Sequence, residues 1–167
     1  NGWNNATELS GDKTFALGAT VKPSAGVTWI ANYMVGKEPT RDVAGDVETR
    51  RLFDTTLTVA ASSRLTFMAN LDYGSEGDVK WWGVAGYAKL QARDNWALVG
   101  RYEYLDDTHG AFMTIGQKAQ TVTLTSDHLI AGGRRAFETI VGFRAPIRSW
   151  PVRFNATIGI GGYIAIL

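Results

Sequence analysis

From Thr14 to Tyr104, apolar side chains alternate with polar or small ones, in runs of about ten residues separated by turn-forming residues. Successive side chains of a β-strand point to opposite faces, so this period gives each run one apolar and one polar face. Phe15, Leu17, Ala19 and Val21 alternate with Ala16, Gly18 and Thr20; Val27, Trp29, Ala31, Tyr33 and Val35 alternate with Thr28, Ile30, Asn32 and Met34. Phe53, Thr55, Leu57 and Val59 follow, and then Leu65, Phe67, Ala69, Leu71 and Tyr73 give the cleanest run. Trp82, Val84, Ala88 and Leu90 form a fifth, and Trp96, Leu98, Gly100, Tyr102 and Tyr104 a sixth. A weaker period persists through Thr121 to Ser126, Phe137 to Phe143 and Val152 to Ile160. The apolar positions never settle into a helical spacing, and β-branched and aromatic residues dominate them. The pattern predicts an all-β chain of about 8–10 strands.

The connections carry a second pattern. Pro23–Gly26, Ser62–Ser63 and Ala92–Asn95 are short turns, whereas the stretches at Lys37–Asp46, Gly74–Asp78 and Asp106–Lys118 are longer and polar. Short turns at one end and longer loops at the other describe an antiparallel up-and-down meander, the layout of a transmembrane β-barrel. No apolar run approaches the roughly 18–20 residues of a membrane-spanning helix. With 17 Lys+Arg against 16 Asp+Glu, the chain lacks the basic excess of a nucleic-acid binder. Without cysteine it has no disulfide framework and no thiolate metal site, and two histidines leave little for another kind of metal centre.

Alternation alone does not say which face is inside. A soluble barrel turns its apolar face inward, as a lipocalin-like ligand binder does; a membrane barrel turns it toward lipid and lines its lumen with polar groups. Three features favour the membrane arrangement. The apolar face carries Trp29, Tyr33, Phe67, Tyr73, Trp82, Trp96, Tyr102 and Tyr104, the residue types of interfacial girdles. The other face mixes Gly, Ala, Thr and Asn with opposed charges such as Arg101 and Glu103, which suits a crowded lumen. Ten-residue strands tilted by about 45° span roughly 23 Å, close to the apolar band of such barrels.

Six segments in consistent order, over residues 1 to about 130, carry a resemblance to a known family. They are Asn1-Gly2-Trp3-Asn4, Val35-Gly36-Lys37-Glu38, Leu52-Phe53-Asp54, Asp72-Tyr73-Gly74, the stretch from Trp81 to Ala88, and the stretch from Trp96 to Asp107. The chain resembles the OmpL-like β-barrel porins. That resemblance implies a channel for small solutes in an outer membrane of Gram-negative type, with no catalytic chemistry. Members are usually much longer, and Leu167 is not the terminal aromatic of a barrel strand read by the insertion machinery. The chain is therefore expected to be a single barrel domain over residues 1–167 that is a partial or shortened member. About eight strands would enclose an interior nearly filled by side chains, whereas wide porins need about 16–18.

The expected lumen residues are Asp54, Asp72, Lys89, Arg101, Glu103, Glu138, Arg144 and Arg153, whose charges would set ion preference if they face water. Arg101 and Glu103, two apart on one strand, can equally serve to pair with each other. Other chemistry is poorly supported. Ser126-Asp127-His128 cannot form a triad on one strand because Asp127 faces away from its neighbours, and the three read as a turn. His109 reads as a solvated loop histidine. Asp42, Asp46 and Glu48 lack the spacing of a calcium loop, and Gly159, Gly161 and Gly162 lack the phosphate-loop pattern. No enzyme activity, cofactor or metal is expected.

The expected partners are membrane lipid and small polar solutes or ions, with a homo-oligomer or larger membrane assembly compatible with the fold and nucleic acid excluded. The leading functional expectation is passive diffusion of small polar solutes or ions through an outer-membrane pore. The alternatives are a narrow, plugged barrel with a structural or adhesive role in an outer-membrane assembly, and a soluble ligand-binding barrel.

Overall fold

The computed structural model describes residues 11–39, 47–111, 116–130, 135–146 and 155–163, with side chains described as far as His128. Among the described residues nine strands follow one another: β1 (Phe15–Ser24), β2 (Val27–Pro39), β3 (Val47–Ala60), β4 (Leu65–Glu76), β5 (Val79–Arg93), β6 (Trp96–Asp107), β7 (Gln117–Ile130), β8 (Arg135–Pro146) and β9 (Asn155–Tyr163). They form one sheet in chain order, each strand antiparallel to the next. This is the expected all-β, up-and-down arrangement. Among the described residues the outer edges of β1 and β9 are not joined.

Local chemistry sets the corners. Ala25–Gly26 and Asp94–Asn95 are two-residue turns. At the β3–β4 corner the Ser62 hydroxyl accepts bonds from the amides of Arg64 (3.2 Å) and Leu65 (3.0 Å), holding a turn that the strand ladder cannot reach. Register shifts between Val21 and Ser24 and between Gln91 and Arg93 lie beside these corners, where bulges sharpen the twist.

The strands run well past their apolar segments. β4 continues through Ser75 and Glu76, which pair with Lys80 and Val79, so the expected loop at Gly74–Asp78 shrinks to a turn of Gly77 and Asp78. Gly77 has φ +53°, and a Cβ there would collide with the Glu48 carboxylate, so glycine is required twice over. Likewise β2 takes in Lys37, Glu38 and Pro39 of the expected polar loop, and β3 begins at Val47. Ser126, Asp127 and His128 are not a turn either. They lie within β7, paired with Leu98, Ala97 and Trp96 of β6. Polarity marked these segments as connections, yet a strand flanked by partners keeps its backbone hydrogen bonds whatever its side chains are.

Burial separates the two faces. Every exposed large apolar side chain among the described residues, from Phe15 and Leu17 on β1 to Val122 and Leu124 on β7, lies on the apolar face. Every buried residue among those whose side chains are described, namely Gly36, Glu38, Gly74, Trp81, Ala85, Ala97, Asp107 and Ala119, lies on the opposite face. Side chains shelter one another on the inside of a curled sheet and splay apart outside it. The polar, small-residue face is thus the inner one.

Candidate functional site

The inner face is built from residues that the register sets side by side. Asn32, Asp54 and Asp72 stand in one cross-strand row of β2, β3 and β4. Asp54 accepts hydrogen bonds from Asn32 Nδ2 at 2.7 Å and from Asn70 Nδ2 at 2.9 Å, and Asn70 also reaches the Thr55 carbonyl at 3.2 Å. Two amides therefore brace one carboxylate while the second faces it directly. Beside them is a depression of about 200 Å³ whose polar lining is Asn70, Asp72, Tyr87 and Glu103. Its small wall residues, Gly83 and Ala85, leave that space open.

On β6 Arg101 and Glu103 form an ion pair, and the Arg101 guanidinium lies 5.7 Å from the centre of the Tyr87 ring. The pairing that the sequence allowed is made, with Tyr87 as an unforeseen third member. Closer to the β4–β5 turn, Arg50 holds Glu76 through Nη2 at 2.6 Å and Nε at 2.9 Å. Nearby, Trp81 is buried against Gly74, its direct partner across β4 and β5, where any Cβ would strike the indole. Lys89 stands on the same face, exposed and without an ion-pair partner among the described residues.

The remaining lumen candidates are placed only by backbone. Glu138 and Arg144 lie in β8, opposite Asp127 and Thr121 of β7. Arg153 lies outside the described residues, as do Asp42 and Asp46.

All eight aromatics expected at an interface are on the outer face. Tyr33, Tyr73 and Trp82 join Phe53, an apolar-face residue outside the expected interface set, in one unbroken row across β2 to β5. Its signal was its alignment with Tyr33 in register, which only strand pairing reveals. Trp82 packs on Tyr104 with ring centres 5.0 Å apart. The polar atoms of other members find partners on the same face: Trp29 Nε1 donates to Thr55 Oγ1 at 2.7 Å, Trp96 Nε1 to Ser126 Oγ at 2.9 Å, and the Tyr102 hydroxyl meets Gln120 Oε1 at 3.3 Å. A ring with an apolar body and a satisfied polar tip suits a boundary between oil and water.

Ser126 and His128, 2.9 Å apart through Oγ and Nε2, belong to this outer face, where His128 stacks on Trp96. Asp127 is on the other side of the sheet, so no acid of this segment orients the histidine. His109 meets the Lys80 carbonyl at 3.1 Å through Nδ1, while Asp106 is engaged by Lys118 at 2.7 Å and Asp107 accepts from the Ala111 amide at 2.6 Å. Gly159, Gly161 and Gly162 lie within β9.

An antiparallel meander with an apolar outer face and a polar inner one is the strand pattern of the porins, and a sequence comparison agrees. The family model described as "Putative beta-barrel porin-2, OmpL-like" matches residues 1–136 of the 167. The chain belongs to that family. No curated protein and no solved structure matches it. As a β-barrel porin, the chain has a general porin-like role, and its family points to an outer-membrane location.

Proposed function

We propose that this porin spans the outer membrane of a Gram-negative cell and lets small polar solutes or ions diffuse passively along its inner face. The observation that carries the reading is the inversion of burial: among the described residues the exposed large apolar side chains all lie on one face, and the sheltered residues of the other face, Trp81 apart, are small or polar. With each exposed by 37% or more, those apolar side chains present on the order of 1,000 Å² of apolar surface, beyond what a soluble monomer normally exposes. From Trp82 to Leu90 the outer face of β5 runs roughly 26 Å along the strand, or about 20 Å across a bilayer at a tilt of about 40°. That matches a lipid-facing band and argues against a soluble ligand-binding barrel. The reading includes no catalytic step.

The inner carboxylates Asp54 and Asp72 and the exposed Lys89 would be the charges felt by a permeating ion, whereas Arg101 and Glu103 largely cancel each other. A second reading rests on that cancellation. The Arg101–Glu103 and Arg50–Glu76 pairs and the buried Trp81 fill space as a plug does, which suits a narrow barrel with a structural or adhesive role. Single-channel recording in a planar bilayer separates the two. Discrete current steps are expected, and their absence from protein shown to be folded and inserted would leave only the plugged barrel.

A further inference from the structure

On the outer face the apolar band ends in the row Tyr33–Phe53–Tyr73–Trp82, and one step further along the same strands stands the row Val35–Arg51–Ser75–Lys80. Arg51 and Lys80 are exposed, sit two strands apart with Ser75 between them, and have no ion-pair partner among the described residues. Two strand spacings put their backbones roughly 10 Å apart, which long side chains close easily onto one oxyanion. No acid at these strand ends forms an ion pair with them among the described residues, the exposed Asp78 of the β4–β5 turn included. Glu48 and Glu76 alternate to the inner face, where Arg50 takes Glu76, and the outward Asp106 is engaged by Lys118. The strand alternation has sorted one cation of the Arg50–Arg51 pair inward to a carboxylate and left the other outward without one.

We infer that Arg51, Ser75 and Lys80 form a binding site for the phosphate of an anionic lipid headgroup at the rim of the band. The site rests on the membrane-spanning reading above. A lipid whose chains lie against Phe53, Tyr73 and Trp82 holds its headgroup at the height of the next row. There a planar guanidinium, a hydroxyl and an ammonium stand in one cross-strand row and supply the charge and hydrogen-bond donors that a phosphate takes. Continuity with the aromatic row favours a lipid over a free anion, because the chains and the headgroup are then satisfied together.

The test is lipid retention by the inserted porin. Protein reconstituted in vesicles of equal parts phosphatidylglycerol and phosphatidylcholine is extracted gently, and the lipids that stay bound are counted by native mass spectrometry. The unmodified protein is expected to retain phosphatidylglycerol preferentially, R51S/K80S to lose that preference by about tenfold, and the charge-preserving R51K/K80R to keep most of it. Equal retention by unmodified protein and R51S/K80S, both inserted, would overturn the site alone. Failure of all three proteins to insert would overturn the membrane reading and the site with it. Capture of inorganic phosphate by detergent-solubilised protein, dependent on the same two residues and as strong as lipid retention, would reassign the site to a soluble anion and overturn the lipid.

Discussion

Asp54 and Asp72 face each other directly across β3 and β4, and only Asp54 is braced by two asparagine amides, from Asn32 and Asn70. Like charges directly opposite on a sheet destabilise it, and the Asn32 and Asn70 amides offset that repulsion at Asp54, which leaves carboxylate charge on the inner face. Cations are concentrated beside such charge and anions repelled. Asp72→Asn removes one charge with little change of shape. Cation preference is expected to fall, read as a reversal potential closer to zero under a salt gradient, with insertion unchanged. An unaltered reversal potential would mean that Asp72 does not border the conducting path.

Arg101 is tied to both Glu103 and Tyr87. Reversing its charge in Arg101→Glu leaves two acids on one face of β6 and removes the cation from the ring. Both groups are more than a third exposed, so the ion pair contributes at most about 1 kcal/mol and the ring contact a similar amount. The expected outcome is greater cation preference with a loss of about 1–2 kcal/mol in urea unfolding from vesicles. Failure to fold would show that the pair is a structural lock.

The face assignment is open to a paired substitution on β7. Leu124 is 59% exposed on the outer face, and its neighbour Thr123 points inward. Leu124→Arg should cost about 2–4 kcal/mol if that face meets lipid, and Thr123→Arg should cost far less. The measurement is urea-induced unfolding from vesicles for each variant. Equal costs would contradict the lipid-facing assignment.

Gly74 lies directly under the Trp81 indole, leaving no room for a side chain. Gly74→Val is expected to lower stability by about 1–3 kcal/mol through overpacking, seen as a smaller heat-modifiable fraction on electrophoresis. Gly74→Val combined with Trp81→Ala should recover part of the loss, since the space is then vacated. Without recovery, the cause would lie in the backbone rather than in the contact.

Much of this was readable along the chain because β-structure writes a local code. The period of two placed Phe67, Leu71 and Tyr73 together on one face and Asn70 and Asp72 on the other, and the register confirms those groupings. Connections were less legible. Ser75 and Glu76, and again Ser126 to His128, look like breaks, yet each pairs on both sides within a strand. Pairing is cooperative across neighbours, so a strand ends where its partners end, and no window of one sequence contains that information. The Asn32–Asp54–Asn70 bracket, the Tyr87 ring beside Arg101 and the Phe53 place in the aromatic row were missed for the same reason: they join residues 14 to 38 positions apart.

By itself, then, the sequence determined that this is an antiparallel meander with two chemically distinct faces, because alternation is a property of each strand alone. Only the tertiary structure decided which face is sheltered, and so made the apolar one the outside. Curvature is a collective property of many paired strands. It crowds the side chains of one face and spreads those of the other, whatever their polarity.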